Sequence, residues 1–278
     1  GGDVPLVYEC LDIHGLFTRP GPVGSVMRFL ERRLLHRIDL LWTSSPGFVR
    51  NYFGAVQGYA GPTHVIENKL WFDTDPCPRP TIGARPSGAG PFTLGWVGSI
   101  RCRDSLKVLA ETAEKLGPEV RVAVHGNIHR HAVPDFDATL ARHDNIFYGG
   151  PYRYPDDLAK IYGKCDAVWA QDLWQRGGNS DWLLPNRIYE AGWFGCPAIA
   201  VSDTETARRV EQDGSGFVIE TATAEALIRL IRNEGRPAFR EVASRLLAMP
   251  DTAFQLLSSD IDGALAPVLA AKTANVRN

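Results

Sequence analysis

Residues Asn179–Val201 read NSDWLLPNRIYEAGWFGCPAIAV. A polar loop leads into a helix-like stretch, then a tight turn at Gly195, then a run of small and branched apolar residues that suits a buried strand. The pattern sets Arg187 and Glu190 three residues apart near the helix start, and residues at i and i+3 share a helix face. A helix dipole disfavours a cation in the first turn. An arginine at that place is best explained by an anion sharing it, and a phosphate is the usual one. The stretch therefore predicts one αβ repeat of a parallel sheet, with a nucleotide diphosphate bound at the helix tip.

Outward from it, short apolar runs alternate with amphipathic ones from Val120 to Ile219. Strands are expected at Phe92–Gly98, Arg121–His125, Asn145–Tyr148, Ala167–Ala170, Ala198–Val201 and Gly216–Ile219. Helices are expected at Ser105–Leu116, Pro155–Tyr162, Pro185–Phe194 and Thr204–Gln212, with Pro185 at the first helical position. Such alternation marks a doubly wound α/β domain, assigned to residues 92–250. Residues 73–91 are rich in Pro and Gly and read as a linker. Residues 1–72 give strand Leu6–Glu9, helix Val23–Ile38, strand Leu40–Thr43, helix Pro46–Phe53 and strand His64–Glu67. Three strands are half a doubly wound domain, so either the sheet is small or the chain begins partway through a larger one. In residues 251–278 a helical tail, Thr252–Ala271, carries apolar residues at helical spacing.

Composition narrows the function. A formal net charge of -2 over 278 residues argues against a general nucleic-acid binder. No apolar run has the length of a membrane span. The five cysteines are odd in number and scattered, with no disulfide framework and no zinc spacing, which suits reduced thiols in a cytoplasmic protein. His125, His129 and His131 have Gly126 between them and no carboxylate close in sequence, so no metal is assigned there. Asp73–Thr74–Asp75 forms a DxD triplet, a pattern that elsewhere holds a divalent cation, but it enters the linker and reads as surface aspartates.

Five ordered pieces carry a family resemblance: VYECLDIHG, HVIENKLWFD, LGWVGSIRCRDSL, NIFYGGPYRYPDDLAKIYGKCDAVWA and PNRIYEAGWFGCPAIAVSD. Together they resemble glycosyltransferases of the GT-B fold, and family 4 (group 1) most closely. The resemblance implies two Rossmann-like domains facing a cleft, the N-terminal one incomplete, and a metal-independent, retaining transferase using a nucleotide-diphosphate sugar without a further cofactor. Its partners would be that donor and a glycan or lipid-linked acceptor, in polysaccharide biosynthesis. Three departures stand out. Of two glutamates that the family places eight positions apart, Glu190 fits the second, while Trp182 holds the first position. Asp104 stands where a lysine is common. The family's opening strands have no counterpart before Val4, which implies that an N-terminal segment is missing.

Candidate site residues follow. Gly98 lets the backbone approach the diphosphate, Ser99 lies beside it, and Arg101 and Arg103 neutralise it, ahead of a helix that Asp104 or Ser105 could cap. His125 and Gly126 end one strand, while Gly150, Pro151 and Tyr152 follow the next and could frame the base. Pro185, Asn186, Arg187 and Glu190 form the helix tip, with Arg187 on phosphate and Glu190 on ribose hydroxyls. Asp12 and His14, placed by the resemblance at the cleft, are candidates to orient or deprotonate an acceptor hydroxyl; with Arg101 and Glu190 they make up the catalytic set. On the helix Val23–Ile38, the stripe Val23, Val26, Met27, Leu30, Leu34 and Ile38 is expected to pack on a sheet, with Arg28, Arg32, Arg33 and Arg37 solvated. The alternative is a peripheral contact with the inner face of a membrane. Rival functions are a nucleotide-sugar-binding subunit without activity, favoured by Trp182, and a nucleotide-sugar epimerase.

Overall fold

The computed structural model describes residues 4–72, 76–81 and 90–276, with side chains to residue 270. The Asp73–Asp75 triplet lies outside the described residues. In chain order, the first elements are β1 (Val7–Cys10), α1 (Gly15–Thr18), α2 (Pro22–Leu35), β2 (Leu40–Thr43), α3 (Pro46–Phe48) and β3 (Thr63–Val65). Next come β4 (Phe92–Val97), α4 (Arg103–Leu116), β5 (Val120–His125), α5 (Phe136–Arg142), β6 (Ile146–Tyr148), α6 (Leu158–Tyr162) and β7 (Ala167–Trp169). The chain ends with α7 (Asn179–Trp182), α8 (Asn186–Trp193), β8 (Ala198–Val201), α9 (Glu205–Asp213), β9 (Gly216–Ile219), α10 (Ala224–Ala248) and α11 (Ser258–Val276). These elements form two compact units: residues 1–68, 175–184 and 256–278, and residues 69–174 and 185–255.

The second unit is a six-stranded, all-parallel sheet of order β6-β5-β4-β7-β8-β9. Its strands are nearly continuous apolar runs because helices cover them, as a parallel sheet requires. α4 packs on β5 and α10, α8 on β7 and β8, and α9 on β8 and β9. The core is built on Leu94, Trp96, Val122, Val124, Trp169 and Ile199. In this order the direction of winding reverses between β4 and β7. At such a reversal the loops beyond the two strands diverge, and ligands bind in the crevice that opens there.

The first unit holds a three-stranded parallel sheet, β1-β2-β3. Leu41, Phe48, Tyr52 and Phe53 are fully buried at its centre. After α3 the backbone widens into a π-helix over Val49–Gly54, so the expected helix Pro46–Phe53 is present in two geometries. Helix α2 corrects the expectation of an apolar stripe packed on the sheet. Val23, Val26, Leu30 and Leu34 are exposed, and the buried residues are Gly24, Glu31 and Leu35. The cause is polar: the Glu31 carboxylate accepts from the Tyr8 and Tyr52 hydroxyls and from Gln57 Nε2. A carboxylate with three donors is satisfied inside, and this network turns the helix.

Candidate functional site

At the reversal in the second unit, β4 and β5 each end in a glycine with positive φ, Gly98 at +115° and Gly126 at +135°. These backbone conformations favour glycine. Space demands it as well: a Cβ on Gly126 would stand 1.7 Å from the Gly98 carbonyl oxygen. The Gly98 N–H donates to the His125 carbonyl, and the Gly126 N–H to that of Gly150 (2.9 Å each). Three neighbouring strand ends are thereby locked together with bare backbone facing out. Gly98, Ser99, Gly126, Asn127, His129, Tyr152 and Tyr154 line a hollow of about 320 Å³ here. A larger opening of about 1700 Å³ lies between α4 and α5, lined by helix-surface charges such as Lys107, Glu111 and Arg142. It contains neither Gly98 nor Gly126 and lies away from the reversal of the sheet, so the smaller hollow is the candidate site.

Helix α8 supplies the charge. Pro185, expected at the first helical position, is instead the extended N-cap residue, and Asn186 opens the helix, exposed. Arg187 Nη1 points to the Trp169 carbonyl at the end of β7 (3.5 Å). Its Nη2 lies 3.7 Å from where a Cβ of Gly98 would be. The guanidinium thus bridges the ends of β4 and β7, in the crevice where the sheet reverses. One turn on, Glu190 is only 6% exposed, and its Oε2 accepts from the Tyr162 hydroxyl at 2.7 Å. Burial raises the Glu190 carboxyl pKa, while the Tyr162 bond and Arg187 oppose the rise. The Tyr152 phenol is pushed up to about 12 by burial and by Glu190, with Arg187 pulling the other way. Tyr152, Arg187 and Glu190 therefore form one electrostatic cluster.

The two loop arginines are each paired with a carboxylate. Arg101 pairs with the buried Asp172 at 3.5 Å, and Asp172 Oδ1 also accepts from the Trp174 N–H. Arg103 is in the first turn of α4 and holds Asp135 on the surface. The cap of that helix is Cys102, whose Sγ accepts from the Ser105 N–H, and not Asp104 or Ser105. His125 packs edge-on against Phe147 and fills the space left by Gly149. Burial lowers its pKa, with Lys164 and Lys160 adding to the effect, so the ring is neutral at physiological pH. Gly150 supplies its carbonyl, and Pro151 is exposed.

In the first unit, Asp12 and His14 are both exposed. Asp12 Oδ1 accepts from Asn179 Nδ2 at 2.9 Å, and Asn179 Oδ1 in turn accepts from the Ile13 N–H at 2.7 Å. His14 Nδ1 accepts from the Leu16 N–H and caps α1. That bond places the proton of the neutral ring on Nε2. Trp182 is half-buried against Tyr52, and its carbonyl accepts from Ser45 Oγ. Sequence reasoning missed Tyr162 and Tyr154 as site residues and considered His129 only as a metal ligand. The available signal was alternation: beyond β5, Ile128 turns inward and His129 outward.

The profile of the family described as Glycosyl transferases group 1 matches residues 91–233. That is more than half of the chain, and the chain belongs to this family, with the α/β, GT-B type of fold. It is similar to the succinoglycan biosynthesis protein ExoL of Rhizobium meliloti (strain 1021), 38% identical over 249 residues, which cover 88% of this chain and 62% of that protein. The chain thus spans less than two thirds of this relative's length. Its fold is similar to that of Anabaena Alr3699/HepE, solved in complex with UDP and glucose (TM-score 0.70, 17% identity, 96% of this chain and 72% of that one). It is also similar to sucrose-phosphate synthase (tll1590) from Thermosynechococcus elongatus (TM-score 0.68, 14% identity, 98% and 68%).

Proposed function

We propose that the second unit binds a nucleotide-diphosphate sugar and that the protein transfers the sugar to a glycan or lipid-linked acceptor. The observation that carries this reading is the Arg187 guanidinium spanning the ends of β4 and β7, one helical turn from the buried Glu190. Transfer requires departure of the nucleotide diphosphate as the sugar carbon gains positive character. Arg187 and the N-terminus of α8 stabilise the charge that grows on the leaving phosphates, and one well-placed donor of this kind contributes about 3–4 kcal/mol. Glu190, anchored by Tyr162, accepts from ribose hydroxyls. The reaction is metal-independent and retains anomeric configuration. Because the Anabaena protein binds UDP and UDP-glucose, uridine nucleotides are the first donors to test. The relative's part in succinoglycan biosynthesis supports a polysaccharide intermediate as acceptor. The outward apolar stripe of α2 supports peripheral contact with a membrane that carries a lipid-linked acceptor.

A thermal-shift panel of nucleoside diphosphates tests the site. A ligand at 100 times its Kd stabilises the fold by about 2.7 kcal/mol, and Arg187→Ala and Glu190→Ala remove the shift. Variants that respond like the parent overturn the assignment. One observation favours a second reading, a nucleotide-sugar-binding subunit without activity: Trp182, packed on Tyr52, occupies a place that the family commonly gives to a glutamate. Donor hydrolysis or transfer by the purified chain decides for the enzyme.

A further inference from the structure

The loops that follow β4 and β5 do not separate at once. The Ile100 N–H donates to the Asn127 carbonyl and the His129 N–H to the Ile100 carbonyl (2.9 Å each), so Ile100 and Ile128 form a bridge beyond the sheet. Side chains alternate along such an extension. Ile100 is fully buried and Ile128 packs against the same core. Ser99 and His129, one residue to either side, are therefore turned outward into the hollow, where Ser99 Oγ and His129 Nε2 stand 2.9 Å apart. Ser99 directly follows Gly98, over which the Arg187 guanidinium lies. The other cations of this loop, Arg101 and Arg103, are held by Asp172 and Asp135.

We infer that Ser99 and His129 form the second contact for the donor's pyrophosphate, beside Arg187. His129 is the positioning residue. Its Nε2–H donates to Ser99 Oγ, which frees the hydroxyl proton to donate to a phosphate oxygen. A hydroxyl fixed in this way is a directed donor, whereas a free one rotates. The inference rests on the nucleotide-diphosphate reading of the same hollow.

The experiment compares binding of UDP and of uridine, which lacks phosphate, by calorimetry and ligand-observed NMR. The proteins are the parent, Ser99→Ala, His129→Phe, His129→Gln and Arg187→Ala. The expected result is an approximately tenfold weaker Kd for UDP in Ser99→Ala and His129→Phe, with uridine binding unchanged. His129→Gln, which keeps an N–H donor for Ser99, recovers most of the affinity. The Ser99 and His129 variants should keep the parent's unliganded melting temperature, since both side chains lie at the surface of the hollow. Equal losses for UDP and uridine would overturn the inference by moving the pair to the nucleoside. UDP binding that is unchanged in Ser99→Ala and His129→Phe but lost in Arg187→Ala would overturn it and leave the site standing. A parent that binds no nucleoside diphosphate removes the site and this inference together.

Discussion

The Glu190 carboxyl sits where water is nearly excluded, with burial raising its pKa beyond what Tyr162 and Arg187 offset. A carboxyl whose folded pKa is raised favours the folded state while both states are protonated, and that advantage is lost as pH rises through the folded pKa. The acid group therefore contributes less to the stability of the unliganded protein at neutral pH than at acid pH. Glu190→Gln keeps an acceptor for Tyr162 and removes the charge. Its melting temperature should exceed the parent's at about pH 7 and converge on it toward about pH 4, while its response to nucleotide is lost. Equal melting temperatures across that range would show that the carboxylate is not desolvated. Arg79 acts in the opposite sense. Its guanidinium donates to the carbonyls of Leu246 (2.7 Å), Met249 (2.7 Å) and Trp193 (3.3 Å), at the end of α10 and beside α8. It also lies over the Trp193 and Phe254 rings. Arg79→Ala takes the side-chain donor from the Met249 and Trp193 carbonyls and leaves that of Leu246 with the Met249 N–H alone, and should cost about 2–4 kcal/mol in denaturant titrations. Asp251→Ala, which removes only a partner that is 63% exposed, should cost under about 1 kcal/mol.

The strands of the second unit were legible because each is a short apolar run closed by a turn; β8 and β9 fall on the residues expected. Helices α5 and α10 were not predicted. α10 contains Gly235 at φ +62° and Pro237, both of which read as breaks. Residues 76–81 were read as linker from their prolines, yet Arg79 fixes them to the second unit through contacts far away in sequence. The site divides in the same way. Arg187 and Glu190 were visible because one helix spaces them. The engagement of Arg101 and Arg103 was not, because their carboxylates lie 71 and 32 residues away. The stripe of α2 was misplaced because periodicity assigns the apolar face inward, and it took Tyr8, Tyr52 and Gln57 to draw Glu31 inside. At this scale the glycine turns are testable. Gly126→Ala adds positive-φ strain and a collision with the Gly98 carbonyl; it should cost more than about 3 kcal/mol and abolish nucleotide binding. Gly150→Ala meets nothing within 4 Å at φ +85°, so only the strain remains, about 1 kcal/mol. Similar losses in the two variants would mean that the loops after β4 and β5 are not locked together.

Across the whole molecule, no helix among the described residues is long and apolar enough to cross a membrane. Within the first unit, Val23, Val26, Phe29 and Leu30 are each at least half exposed. An exposed apolar helix face is what the proposed membrane contact needs. The charges around it are divided in use. Arg28 donates to the Phe17 and Arg19 carbonyls, and Arg32 to those of Val56 and Gln57. Arg33 lies over the exposed Phe29 ring, and Arg37 is exposed beyond the helix end. Apolar side chains that enter the headgroup region and cations that meet anionic lipid act together, with each cation contributing about 1 kcal/mol near such a surface. The protein should therefore co-sediment with phosphatidylglycerol vesicles at low salt and not with purely zwitterionic ones. Molar salt should weaken the binding by screening. Val26→Ser with Leu30→Ser should abolish it without loss of stability, because neither side chain is buried, whereas Arg33→Glu should weaken it in proportion to the anionic lipid. Failure to bind anionic vesicles at low salt would rule out the membrane contact and leave the nucleotide site proposed for the second unit untouched.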